Sequence, residues 1–204
     1  MKPSKQAMLA AAALILLIIT GACSAKPFFI VHYQLPSPSN TLAGKEVSQV
    51  TTDIRESKAF LSDNAKKSFR EFNGTYSLVV LKEDGSGNLL GVFELDALIT
   101  EIFKQRLTSL GLQVSAPANQ TAYELEIKLK EFKLDLARRR WIVNMSYQAN
   151  LLKNGKLLAM ESVNGSAERL KVMGNSDAEK MLGELMTDVV NKLDLVKLFQ
   201  QAPG

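Results

Sequence analysis

Polar and apolar residues alternate most cleanly at 141–151. Trp141, Val143, Met145, Tyr147, Ala149 and Leu151 interleave with Asn144, Ser146, Gln148 and Asn150, the two-residue period of a strand with one dry face. Lys153-Asn154-Gly155-Lys156 follows, and Asn-Gly accepts the positive φ that a two-residue hairpin turn needs at both centres. Residues 157–167 are then expected to return as the partner strand. Upstream, Tyr123, Leu125, Ile127 and Leu129 share one face, while Phe132, Leu134 and Leu136 fall on the other. A β-bulge near Lys130-Glu131 would bring both sets to one side, because a one-residue shift inverts every side chain. These segments predict an antiparallel meander. Residues 47–54 and 76–81 are further strand candidates, the second closed by Asp84-Gly85-Ser86-Gly87.

A helical period occurs twice. Leu95, Leu98, Ile99, Ile102, Phe103, Leu107 and Leu110 stripe residues 93–110, and Gly111 stands where a left-handed C-cap belongs. Met181, Leu182, Leu185, Met186, Val189, Val190 and Leu193 stripe residues 177–193, opened by Ser176-Asp177-Ala178-Glu179 with the spacing of a capping box. Residues 26–35 are apolar and β-rich, and Pro36-Ser37-Pro38-Ser39-Asn40 interrupts them. Proline fixes its own φ and biases its predecessor away from helix, so this stretch reads as a short lead-in and a stiff linker. Residues 57–75 are polar and mixed. The fold class expected is α+β: a single two-layer domain, with a mostly antiparallel curved sheet and two long helices packed on one face.

The N-terminus adds an address. Lys2 and Lys5 precede residues 7–19, which carry neither charge nor amide. That run is shorter than the roughly 20 apolar residues a membrane span needs, and it reads as an export signal. Thr20-Gly21-Ala22-Cys23 then resembles the bacterial lipobox. The resemblance implies a diacylglyceryl thioether on Cys23, cleavage before it and acylation of the new amine. Ser24 follows rather than Asp, which by the same resemblance implies the outer membrane, facing the periplasm. The expected division is a signal peptide at 1–22, a lipidated tether and linker at 23–45, and an α+β domain at 46–200. Cys23 is the sole cysteine, so no disulfide closes within the chain.

Charge changes the picture little. The sequence holds 25 basic and 21 acidic side chains, but residues 1–22 contain Lys2 and Lys5 and no acid, leaving 23 against 21. That balance does not suggest a nucleic-acid partner.

From residue 47 onward the order of parts resembles the YajG-like bacterial lipoproteins. The matching residues are Asp53-Ile54-Arg55, the run Ile102 to Gly111, Asn154-Gly155-Lys156, Leu185 to Val190, and Leu195-Val196-Lys197-Leu198-Phe199. This resemblance implies an envelope lipoprotein without an assigned activity. A similar layout in auxiliary lipoproteins of envelope lipid-transport systems gives the alternative, and a cell-wall hydrolase ranks third.

Candidate chemistry is sparse. Residues 76–91 resemble a strand and phosphate-cradling loop ahead of a helix, but the glycine spacing departs from the dinucleotide pattern, and a surface turn is the plainer reading. Asp84, Ser86 and Asn88 hint at a calcium loop, yet Leu95 stands where its last carboxylate belongs. His32 is the sole imidazole and has no second histidine for a metal. Glu124 and Glu126 could serve sugar hydrolysis, although a wet strand face accounts for them. Arg138-Arg139-Arg140-Trp141 could grip lipid phosphates or an acidic partner, although a soluble hairpin tip whose Trp141 turns inward to begin the dry face is the plainer reading. The expectation is a non-catalytic lipoprotein with no cofactor and no metal. Its partners are the membrane lipid reached through Cys23 and an envelope protein or lipid.

Overall fold

The computed structural model describes residues 27–115, 123–172 and 175–201. In chain order they form β1 (Phe28–Gln34), β2 (Glu46–Asp53), a one-turn α1 (Asp63–Lys66), β3 (Thr75–Leu81), β4 (Gly87–Phe93) and α2 (Leu95–Ser109). β5 (Gln113–Ser115), β6 (Tyr123–Ala137), β7 (Arg140–Lys153), β8 (Lys156–Leu170), α3 (Ser176–Lys192) and α4 (Leu195–Gln200) follow.

The expected meander is present: β6, β7 and β8 are antiparallel neighbours, and the β6–β7 register slips between Leu129 and Glu131, where alternation had demanded a bulge. The rest of the sheet expectation is corrected. The described residues form two sheets, ordered β5-β2-β6-β7-β8 and β1-β3-β4, and both are mixed. β2 runs parallel to β5 and to β6, and β1 runs parallel to β3. Parallel partners need long crossovers and leave no hairpin signature between them, so local patterning cannot announce them.

The boundary at residue 46 also moves. Residues 28–34, read as lead-in, form β1, and its Phe29, Val31 and Tyr33 are buried beside Tyr76, Leu78 and Val80 of β3. The proline segment after it is docked rather than free: the Ser39 and Leu42 amides donate to the Ser109 and Leu110 carbonyls, and Leu42 is buried.

Both long helices pack against the large sheet, α2 on β2 and α3 on β7 and β8. Each also touches the small sheet, α2 at β3 and β4 and α3 at β1. Gln49 Nε2 donates to the Thr100 carbonyl and ties β2 to α2, while the Tyr147 hydroxyl donates to the Val189 carbonyl and ties β7 to α3. Gly111 takes φ +85°, ending α2 as the sequence predicts.

α3 lies along the free edge of β1. Strand side chains on one face recur every two residues and helix side chains every four, at nearly equal rises. Glu179, Gly183, Thr187 and Asn191 exploit that match. The Ile30 amide donates to Glu179 Oε1 at 3.3 Å and the Gln34 amide to Thr187 Oγ1 at 3.0 Å. Asn191 Nδ2 donates to the Gln34 carbonyl at 3.1 Å, and its Oδ1 accepts from the Tyr33 hydroxyl at 2.8 Å. This corrects the capping box: Asn175 is the N-cap, without a side-chain cap bond, and Glu179 is turned to the strand instead.

Candidate functional site

Arg138 and Arg139 form the two-residue turn between β6 and β7, and both adopt positive φ, 49° and 63°. The β7–β8 turn has the same form, with Asn154 at φ 53° and Gly155 at φ 72°. Asn and Gly suit that conformation, whereas an arginine Cβ crowds the backbone there. One hairpin therefore carries the residues its geometry prefers, and the other carries two arginines against preference. Both guanidinium groups are exposed, and neither has an ion pair among the described residues. Arg140, the next residue, is ion-paired with Glu168 across the strands.

Trp141 does not join this cluster at the surface. Its indole is fully buried at the head of the dry face. Phe69 packs on it with ring centroids 5.3 Å apart, and the Lys171 ammonium sits 4.9 Å from the ring centroid while donating to Ser68 Oγ. Beyond Phe69 the rings continue through Phe29, Phe60, Phe72, Tyr76 and Phe132, with Phe60 stacked on Phe132 at 4.7 Å. Residues 57–75 supply three of these rings without any period, so the sequence reading missed them. The same segment brings exposed Lys66, Lys67 and Arg70 to this end of the molecule. Cys23 lies outside the described residues, four positions before Pro27.

A second polar group adjoins the aromatic cluster at Phe132. Arg55 is buried, and its Nε and Nη2 donate to the two carboxylate oxygens of Asp53 at 3.0 and 2.8 Å. Its Nη1 donates to the Phe132 carbonyl just beyond the bulge. These side-chain bonds from Arg55 hold the Asp53 carboxyl well below the ordinary range. Partial burial opposes them, while the Arg55 amide and Lys58 reinforce them. An open cavity of about 460 Å³ lies beside this pair, lined by Thr51, Lys58, Glu94 and Asp96 among others. The Arg55 fork is spent on fixed partners, which is a structural clamp rather than a waiting acid or base.

The remaining candidates are dispersed. His32 is exposed on β1, at a groove of about 730 Å³ that runs along α3 past Glu179, Glu184 and Asp188. Glu126 accepts from Asn150 and pairs with Lys128 at 3.0 Å, so it is committed within the sheet. Asp84 accepts from the Ser86 amide in the turn joining β3 to β4, and a strand follows that turn instead of a helix. This removes the phosphate-loop geometry. No group of three metal-ligating side chains occurs among the described residues.

The small sheet also shows an apolar outer face. Leu89 and Val92 of β4 are 67% and 54% exposed, opposite half-buried Val79 and buried Ser77 of β3. The β1 edge of this sheet is sheltered by α3; β4 is the other edge, and its pairing with β3 shifts register between Leu78 and Val79.

No family model and no curated protein matches the chain. Solved structures do resemble it. A Xanthomonas campestris protein of the DUF330 family is 12% identical, with a TM-score of 0.54 over 83% of this chain and 94% of that one. A minor lipoprotein from Acinetobacter baumannii is 12% identical, with a TM-score of 0.43 over 78% and 96%. A lipoprotein from Neisseria meningitidis is 15% identical, with a TM-score of 0.39 over 72% and 96%. At such identities a likeness speaks for the fold alone, and the first of these shares the α+β fold described above.

Proposed function

We propose that this chain is a lipid-anchored lipoprotein of the bacterial cell envelope that binds rather than catalyses. The observation that carries the reading is Thr20-Gly21-Ala22-Cys23 closing a short basic and apolar leader. Two acyl chains or more give slow release from a bilayer where one gives marginal binding. The mature body is then moored by Cys23, and Ser24 in place of Asp favours the periplasmic face of the outer membrane. Exposed Leu89 and Val92 on β4 support a binding or accessory role, because apolar side chains grouped at a surface are where partners dock. The same side chains support the second reading, an auxiliary lipoprotein of an envelope lipid-transport system. The test is metabolic labelling with a fatty-acid probe. The parent chain should incorporate label and lose residues 1–22, while Cys23→Ala should accumulate unlabelled precursor. Label retained by Cys23→Ala would overturn the anchor.

A further inference from the structure

We propose that the end of the molecule bearing the 138–139 hairpin is a membrane-apposed face that recognises anionic phospholipid headgroups. The proposal rests on the anchor at Cys23 and deepens it by fixing which side of the body meets the bilayer.

Chain length makes the first argument. Only Ser24, Ala25 and Lys26 separate Cys23 from Pro27, and a fully extended chain gains at most about 3.6 Å per residue. The Pro27 Cα therefore stays within roughly 14 Å of the Cys23 Cα, and the lipidated sulfur lies only two bonds beyond that. Pro27 is itself fixed to the fold, because its carbonyl accepts from the Asn73 amide and β1 begins at the next residue. Whatever surrounds the start of β1 is held close to the headgroups.

The second argument is what surrounds it. Phe29 packs on Phe69, and Phe69 packs on Trp141, directly beneath the arginine turn. The Lys171 amide donates to the Arg139 carbonyl, which places the end of β8 against the same turn. This end presents exposed Arg138, Arg139, Lys67 and Arg70, none of them ion-paired among the described residues. Nearby Asp63 and Glu168 are already paired, with Lys66 and Arg140, and Glu71 is the remaining exposed acid of the 63–72 segment. Leu170 and Val172, 54% and 69% exposed, flank the arginines. Cations interspersed with apolar side chains are the composition that an anionic interface attracts, each basic residue near the surface strengthening adsorption several-fold.

The third argument is the backbone. Arginine at both positive-φ centres is disfavoured, and the chain places Asn-Gly at its other hairpin of the same form. Strain retained at an exposed tip points to a use for the side chains there.

The test uses the full chain, made with its leader and reconstituted by its own anchor. Cys23 is the sole cysteine, so once lipidated it leaves an introduced thiol unique. Val172→Cys and Lys67→Cys report this end, and Lys156→Cys reports the β7–β8 tip. Each carries a fluorophore in phosphatidylcholine vesicles with or without phosphatidylglycerol, with a quencher-bearing lipid present. With phosphatidylglycerol, quenching at 172 and 67 should exceed that at 156 several-fold. The gain in contrast that phosphatidylglycerol produces should be lost in R138N/R139G, whose hairpin is relaxed rather than damaged, while the contrast set by the tether in phosphatidylcholine alone remains. Equal quenching at both ends of a chain shown by mass spectrometry to be lipidated overturns the face and leaves the anchor standing. A contrast indifferent to phosphatidylglycerol or to R138N/R139G overturns headgroup recognition. An unmodified Cys23 overturns the anchor and the face together.

Discussion

Gly183 of α3 lies against His32 of β1 so closely that a Cβ added to the glycine would stand 2.7 Å from the His32 carbonyl oxygen and 3.1 Å from its nitrogen. The obstacle is backbone on both counts, so no side chain can swing aside. This contact sets how near the helix comes, and so whether Glu179 and Thr187 reach the Ile30 and Gln34 amides.

Gly183→Ala should therefore destabilise the protein by about 1–3 kcal/mol, as overpacking does. Intrinsic helix propensity alone argues the other way, favouring alanine by about 1 kcal/mol. Urea denaturation decides between the two signs, and a rise in stability would show that the helix can retreat freely.

R138N/R139G should stabilise the fold by about 1–2 kcal/mol, because glycine at 139 removes one left-handed Cβ, worth about that, and asparagine at 138 tolerates the conformation better than arginine. Thermal unfolding of the double variant beside the parent measures it. A lower melting temperature would mean that the arginines contribute to the fold rather than strain it.

The Asp53–Arg55 clamp should give an acid-dependent component of stability. The folded carboxyl titrates below its unfolded value. Its contribution is thus complete above the unfolded pKa, near pH 4, and fades as the pH falls through the folded value. Asp53→Asn should be less stable than the parent by a constant margin from pH 7 to pH 5, with the margin narrowing below about pH 4. A margin independent of pH would show that the side chain's charge is irrelevant. Arg55→Lys should also fall short of the parent, since an ammonium cannot fork both carboxylate oxygens and reach the Phe132 carbonyl.

Phe60→Ala should cost about 3–5 kcal/mol, the range for removing a buried aromatic ring. Phe60 contacts Phe29, Phe72, Tyr76 and Phe132, rings drawn from both sheets and from the segment between β2 and β3. A loss below about 1 kcal/mol, read by denaturant titration, would mean that the sheets are held together elsewhere.

What the sequence disclosed follows a physical division. β7, the bulge after Leu129, the Asn154-Gly155 turn and both long helices depend on neighbours within a few residues, and each stands where its pattern placed it. β1 looks like a tether in the sequence because its partner β3 lies across a 40-residue connection containing a strand of the other sheet. Phe60, Phe69 and Phe72 fit neither period, so their shared cluster emerges only in three dimensions. Glu179 matched a capping motif, but the free β1 amide competed for its carboxylate. The arginine run was visible, and its strained turn was not, since a hairpin is normally announced by Asn or Gly. The lysines of 66–67 gain meaning only once folding sets them beside that turn.

The long strands of the meander carry a consequence for reach. β7 alone runs 14 residues, about 45 Å at the usual rise, from the arginine tip to the Asn154-Gly155 tip. A body docked by its cationic foot, as proposed, carries the Asn154-Gly155 tip on the side away from the bilayer, so a molecule that engages this tip meets it clear of the headgroups.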